Sequence, residues 1–232
     1  MSDELCFTSA CNLIEQYRKG DISPVEVTQS ILDRIDRLNP ILNCFCHIDK
    51  ESALASARAS EQRWQKGTPA GWLDGIPISI KDLLPAKGWP TRMGSNAISA
   101  DGQWDEDDPA VSRFREHGGI ILGKTNTPEF GNSGVTNSPL NGLTVNPWDI
   151  TRTTGGSSGG SVSAVAAGLG PLSVGTDAGG SIRTPASFCG LVGLKPTFGR
   201  VPQAIGGDWG GISVSGPIAR TVQDTALAMN VM

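Results

Sequence analysis

Val27, Ile31, Ile35 and Leu38 recur at helical spacing behind Ser23-Pro24-Val25-Glu26. Serine suits an N-cap, proline the first helical position and glutamate the third, so this start predicts a helix that ends before Pro40. A first helix is expected over Thr8 to Lys19, closed by Gly20. Phe45 to Ile48 reads as a strand and Lys50 to Gln65 as an alanine-rich helix. The apolar run Ile76 to Ile80 predicts a short buried strand with Lys81 at its end. Residues 88–108 are rich in Gly, Pro and Asp and read as a long loop. A helix over Pro109 to His117, a strand over Ile120 to Leu122 and a loop-rich stretch over 126–156 follow. Ser161 to Gly168 predicts a helix of small residues, and Leu172 to Gly175 a strand. Arg220 to Met232 closes the chain as a helix with Val222, Ala226 and Met229 on one face. Helices alternating with short buried strands, without an internal repeat, indicate an α/β fold.

The chain has 232 residues, enough for one large domain or two small ones, and 38% hydrophobic residues, enough for a core. A net charge of −4 and the lack of a basic run argue against nucleic acid or anionic lipid as partners. The acidic start Met1-Ser2-Asp3-Glu4 does not resemble a secretory leader, and no apolar stretch reaches the length of a spanning helix. A cytoplasmic protein is expected. Its five cysteines, at 6, 11, 44, 46 and 189, form no CxxC pair. Cys44 and Cys46 would share a face on a strand, but His47 is the one further ligand nearby, so buried reduced thiols are expected rather than a metal site.

The chemistry concentrates in two glycine-serine loops and an upstream lysine. The loops are Gly155-Gly156-Ser157-Ser158-Gly159-Gly160 and Asp177-Ala178-Gly179-Gly180-Ser181-Ile182-Arg183. Consecutive amides at Ala178, Gly179, Gly180 and Ser181 beside a hydroxyl suit a nest for an oxyanion. Ser181 would attack a carbonyl and needs a base. Lys81 serves only if burial keeps it neutral, and the apolar run before it makes burial reasonable. It could act on Ser181 directly or through the hydroxyl of Ser157.

Together these stretches resemble the amidase signature family. The likeness runs from about residue 71 to the last residue and more weakly through the N-terminal helices. It rests on Gly75-Ile76-Pro77 through Lys81-Asp82, Gly123-Lys124-Thr125-Asn126, Asn146-Pro147-Trp148-Asp149, both glycine loops, Phe188 through Pro196, and Gly216-Pro217. The resemblance implies a mixed β-sheet covered by helices on both faces. It also implies a catalytic set of Ser181 as nucleophile, Ser157 as bridging serine after a cis Gly156–Ser157 peptide, and Lys81 as base. Residues Ala178 to Ser181 fall at the oxyanion hole, and Gly131 and Ser133 fall where members line the substrate pocket. Asp177 and Arg183 are expected to hold the second loop, with Ser158 beside them. The implied reaction is hydrolysis of a small amide through an acyl-enzyme, with no metal and no cofactor.

The resemblance also reaches the amidase subunit of glutamyl-tRNA amidotransferase, and a purely binding role for an inactive form is a further alternative. The Trp209 to Pro217 segment looks more like stand-alone bacterial amidases. Members of the family run much longer than this chain, so the C-terminal part of the fold is expected to be missing. Exposed apolar surface, and a homodimer or the missing half to cover it, follow as expectations. Residues 1–70 are expected as a helical region packed on a core of residues 71–232, in one folding unit.

Two short motifs are set aside. Gly118-Gly119-Ile120-Ile121-Leu122-Gly123-Lys124-Thr125 satisfies the P-loop pattern, but a helix precedes it and its bulky residues read as a strand inside the motif. Gly156-Ser157-Ser158-Gly159-Gly160 satisfies the nucleophile-elbow pattern, whose histidine follows the serine. Here His47 and His117 both precede it and are expected to be structural or surface residues.

Overall fold

The computed structural model describes residues 3–203 and 211–232. Its α-helices are α1 (Ala10–Lys19), α2 (Pro24–Leu42), α3 (Lys50–Gln65), α4 (Pro109–Glu116), α5 (Gly159–Ala166), α6 (Arg183–Phe188) and α7 (Val222–Val231). The strands are β1 (Phe45–Ile48), β2 (Pro77–Lys81), β3 (Ile120–Thr125), β4 (Asn137–Ser138), β5 (Gly142–Leu143), β6 (Val145–Asn146), β7 (Asp149–Thr153), β8 (Leu172–Asp177), β9 (Val192–Gly193) and β10 (Val214–Ala219). The main sheet runs in the order β1-β3-β2-β8-β10-β9. β2 is parallel to both β3 and β8, while the outer pairs are antiparallel, so the sheet is mixed. Every residue of β2, β3, β8 and β10 is buried, which requires cover on both faces of the sheet.

The start of α2 forms as its residues dictate. Ser23 Oγ accepts the Glu26 amide at 3.2 Å, and Glu26 Oε2 accepts the Ser23 amide at 2.8 Å. Its end differs: the helix passes through Pro40 to Leu42. Pro40 sits in the last turn, where burial of Leu42 and the left-handed cap at Asn43 close the helix. Asn39 Oδ1 then takes the amides of Cys44 and Phe45 at 3.0 and 2.8 Å and turns the chain into β1. A register shift in β1 between Phe45 and His47 breaks the simple alternation expected of Cys44 and Cys46. All five cysteines are free.

The buried face of α7 is not the expected one. Val222 and Ala226 are exposed, and Asp224, Thr225, Ala228 and Val231 face inward. The Asp224 carboxylate accepts the amides of Ala10 and Cys11 at 3.1 and 2.9 Å, the first turn of α1, where a negative charge meets the positive end of a helix. A polar residue on the buried face misled the periodicity because its partners lie at the far end of the chain. Asp224→Ala is expected to cost about 2–3 kcal/mol, read as a shift in urea unfolding, because both amides lose a buried charged acceptor.

The central strands also place the site. Ile78, Ser79 and Ile80 of β2 pair in parallel with Leu172, Ser173 and Val174 of β8. Their carboxyl ends therefore emerge side by side, with Lys81 next to the end of β8. In open α/β sheets this end is where ligand crevices form. Gly160 in the first turn of α5 brings helix backbone directly against Asn126, with its amide donating to the Asn126 carbonyl at 3.1 Å. A β-carbon there would collide with the Asn126 backbone and the Cys44 carbonyl.

Candidate active site

Lys81 is fully buried, and its ammonium nitrogen reaches two hydroxyls. Nζ lies 2.6 Å from Ser157 Oγ and 2.9 Å from Thr176 Oγ1. Burial pulls the amine down to about 7, against the opposing negative charge of Asp177. Near neutral pH a substantial fraction of the amine is therefore unprotonated, and its lone pair can accept the Ser157 proton. The Gly156–Ser157 peptide is cis.

The two glycine loops are tied together through Ser158. Its amide donates to the Ser181 carbonyl at 3.1 Å and its hydroxyl to the Thr176 carbonyl at 3.2 Å. Asp177 organises the second loop from inside. Its carboxylate accepts the amides of Gly180 at 2.7 Å, Ile182 at 3.1 Å and Arg183 at 3.4 Å. Arg183 adds a two-pronged contact, Nε and Nη2 each at 2.9 Å. Burial pushes the carboxyl up, but the Arg183 side chain and the three amides outweigh it and hold it at about 2. The Gly180 amide is spent on Asp177, so of the four amides expected to form a nest it is already taken.

Ser157 and Ser181 both line one cavity of about 330 Å³, along with Ala178, Gly179 and Gly180. Gly131 and Ser133 line it too, as do Leu83, Asn132, Gly134, Thr176, Thr184 and Ser213, which the sequence did not single out. Thr176 had a signal: it lies inside the second loop's approach, one residue before Asp177. Leu83 and Asn132 carry no such mark, since ordinary residues enter a cavity only through tertiary placement.

The rejected P-loop motif lies elsewhere, while the nucleophile-elbow match Gly156 to Gly160 overlaps the cavity without a histidine beside it. Gly118 to Thr125 contains β3, and Lys124 is buried against Asp82 and Thr91 rather than open to a phosphate. His47 packs at a tilt against Trp89 with ring centroids 5.1 Å apart, and His117 Nδ1 accepts the Trp72 amide. Neither histidine lines the cavity. Among the described residues there is no cluster of three His, Cys, Asp or Glu able to hold a metal, and no helix long and apolar enough to cross a membrane. Trp209 and Gly210 of the Trp209 to Pro217 segment lie outside the described residues.

Comparison with known proteins agrees with this fold. The chain is 45% identical over 217 residues, 92% of its length, to a glutamyl-tRNA(Gln) amidotransferase subunit of Chloroflexus aurantiacus, of which it covers 44%. It is 42% identical over 229 residues to an acylamidase of Rhodococcus erythropolis, covering 98% of this chain and 48% of that one. It thus spans about half the length of the curated relatives it matches. A bacterial aryl acylamidase structure superposes with a TM-score of 0.92 at 36% identity, covering 97% of this chain and 47% of the other. The peptide amidase of Stenotrophomonas maltophilia does so with a TM-score of 0.88 at 34% identity, covering 97% and 47%. The Amidase family model matches residues 26–232. By sequence match and by fold alike, this chain belongs to the amidase family.

Proposed function

We propose that the chain hydrolyses a small carboxylic acid amide through an acyl-enzyme on Ser181. The observation that carries this reading is the buried contact of Lys81 with Ser157, made by an amine that titrates near neutrality. Ser181 Oγ attacks the amide carbon as its proton passes to Ser157, whose own proton passes to the Lys81 lone pair. The amides of Ala178, Gly179 and Ser181 hold the oxyanion. The tetrahedral adduct collapses, the C–N bond breaks, and the proton on Lys81 returns through Ser157 to the leaving nitrogen. Water then attacks the ester by the same relay, releasing the acid and regenerating Ser181. The products are a carboxylic acid and ammonia or an amine. Incubation with a fluorophosphonate tests this: one adduct is expected, mapped to the Ser181 peptide, alongside ammonia release from small amides. A folded chain without an adduct would instead be a binding module.

A second reading rests on the 45% identity to a glutamyl-tRNA(Gln) amidotransferase subunit. On it, the same site releases ammonia from glutamine for a partner. Glutamine hydrolysis that appears only on adding partner subunits would favour this reading over a stand-alone amidase.

Residues 1–70 and 71–232 are proposed to fold as one unit, because β1 pairs with β3 and Asp224 caps α1. Trp148, Ile150 and Phe188 stand 74%, 58% and 50% exposed, with the Trp148 indole bonded to the carbonyl of Cys189, the residue next to Phe188. We propose that a second copy or a further stretch of the amidase fold covers this patch. Sedimentation of the 232-residue chain is expected to show self-association that Trp148→Ser weakens; a monomer with no binding of an apolar dye would count against it.

A further inference from the structure

Between Lys81 and the cavity-lining Leu83 lies Asp82, a carboxylate that the proposed reaction does not use. It is buried, and its partner Lys124 is buried as well, with Nζ 3.2 Å from Asp82 Oδ1. Lys124 also donates to the Leu84 carbonyl at 2.8 Å and to Thr91 Oγ1 at 2.7 Å, so the ammonium's three N–H groups each find an acceptor. Asp82 in turn accepts the amides of Arg92 and Gly94. The pair thus clasps segment 91–95 onto the ends of β2 and β3.

That segment carries the next contact. The Met93 carbonyl accepts the Phe130 amide at 2.8 Å, and Ser95 Oγ donates to Glu129 Oε1 at 2.7 Å. Met93 and Phe130, neither of them glycine, both sit in the left-handed region at φ 52°. Such conformations persist where surrounding contacts hold them. Residues 129–131 then deliver Gly131 to the cavity with little slack. A β-carbon on Gly131 would strike the Leu83 side chain and come within 3.5 Å of Ser157 Oγ.

We propose that the Asp82–Lys124 pair positions the substrate wall: it fixes segment 91–95, which holds residues 129–131, and so sets where Gly131 stands against Ser157. Asp82 and Lys124 are positioning residues, acting through loop geometry and not through proton transfer. Calling this wall a substrate wall rests on the amidase reading above; the chain of contacts does not.

The test compares the parent with Asp82→Asn and with a double variant, Asp82→Leu with Lys124→Met. Replacing a buried ion pair by apolar residues of similar size often leaves stability intact, so the double variant remains informative if the single one fails to fold. Hydrogen exchange of the folded proteins is expected to speed up at least about tenfold at the Phe130 and Gly131 amides, with α2 and β8 unchanged. Fluorophosphonate capture by Ser181 is expected to slow at least about tenfold, with its pH midpoint unmoved. In amide hydrolysis KM should rise more than kcat falls. Unchanged exchange at residues 129–131 in the double variant would overturn the inference whatever the labelling does. Protection lost uniformly through the sheet would also overturn it, since the pair would then be a general strut. No labelling of the parent would instead overturn the amidase reading, leaving exchange to decide the role of the pair.

Discussion

Ser181→Ala is expected to abolish fluorophosphonate capture and to lower amide hydrolysis by at least about 10⁴-fold, while the melting curve stays within a degree or two of the parent. The size follows from the proposed role: a residue that forms the covalent intermediate has no substitute, and nucleophile deletions in hydrolases of this logic cost on the order of 10⁴- to 10⁶-fold. The small stability effect follows from position. The Ser181 main chain carries the loop contact, its carbonyl accepting the Ser158 amide, and alanine keeps that bond. Intact-mass labelling and ammonia release read both quantities. An adduct that survives in Ser181→Ala would place the nucleophile elsewhere, with Ser157 the next candidate. A large drop in melting temperature would mean that the hydroxyl is structural.

The second large effect is on pH dependence. With Lys81 at about 7, kcat/KM should rise with pH through that value, because the neutral amine is the base in the proposed mechanism. Lys81→Met should remove this limb and lower the rate by about 10²- to 10⁴-fold. Asp177→Asn supplies a control of opposite character. Removing that negative charge makes the ammonium still harder to keep, so the limb should move to lower pH, along with a loss of rate as the Arg183 contact weakens. A limb unchanged in Lys81→Met would exclude this lysine as the base. The same group affects stability. Its folded value lies below the ordinary 10.5, so between about 7 and 10.5 the unfolded chain binds the extra proton and stability rises with pH. The contribution is at most about 1.4 kcal/mol per pH unit. Urea unfolding at pH 7, 8 and 9 should show a steeper rise for the parent than for Lys81→Met.

Much of this was legible in local chemistry. The capping box at Ser23, the glycine after α1 and the apolar run into Lys81 are short-range signals, and they mark the start of α2, the end of α1 and the strand β2. The strand β10 was not legible. Its Gly216-Pro217 pair conceals it, since proline is rare in interior strands because it lacks an amide. The strand forms because its neighbour β9 is two residues long and the Pro217 carbonyl still accepts the Leu194 amide at 3.1 Å. The little ribbons β4–β5 and β6–β7 inside the loop-rich stretch were missed for a related reason: strands of two to five residues leave almost no periodicity to read.

The family, the α/β class and the residues able to do the chemistry reside in spacing along the chain: serines bracketed by glycines, a lysine closing an apolar run, acid and arginine at either end of one loop. Three features of the site exist only once the chain is folded. Lys81 gains a second hydroxyl partner in Thr176, since parallel pairing of β2 and β8 brings those strand ends together. The Gly180 amide turns to Asp177 and away from the proposed oxyanion nest, since a buried carboxylate takes the nearest donors. Asp82 joins Lys124, more than forty residues along the chain, since two charges without water are held by each other, by the Thr91 hydroxyl and by the backbone around them.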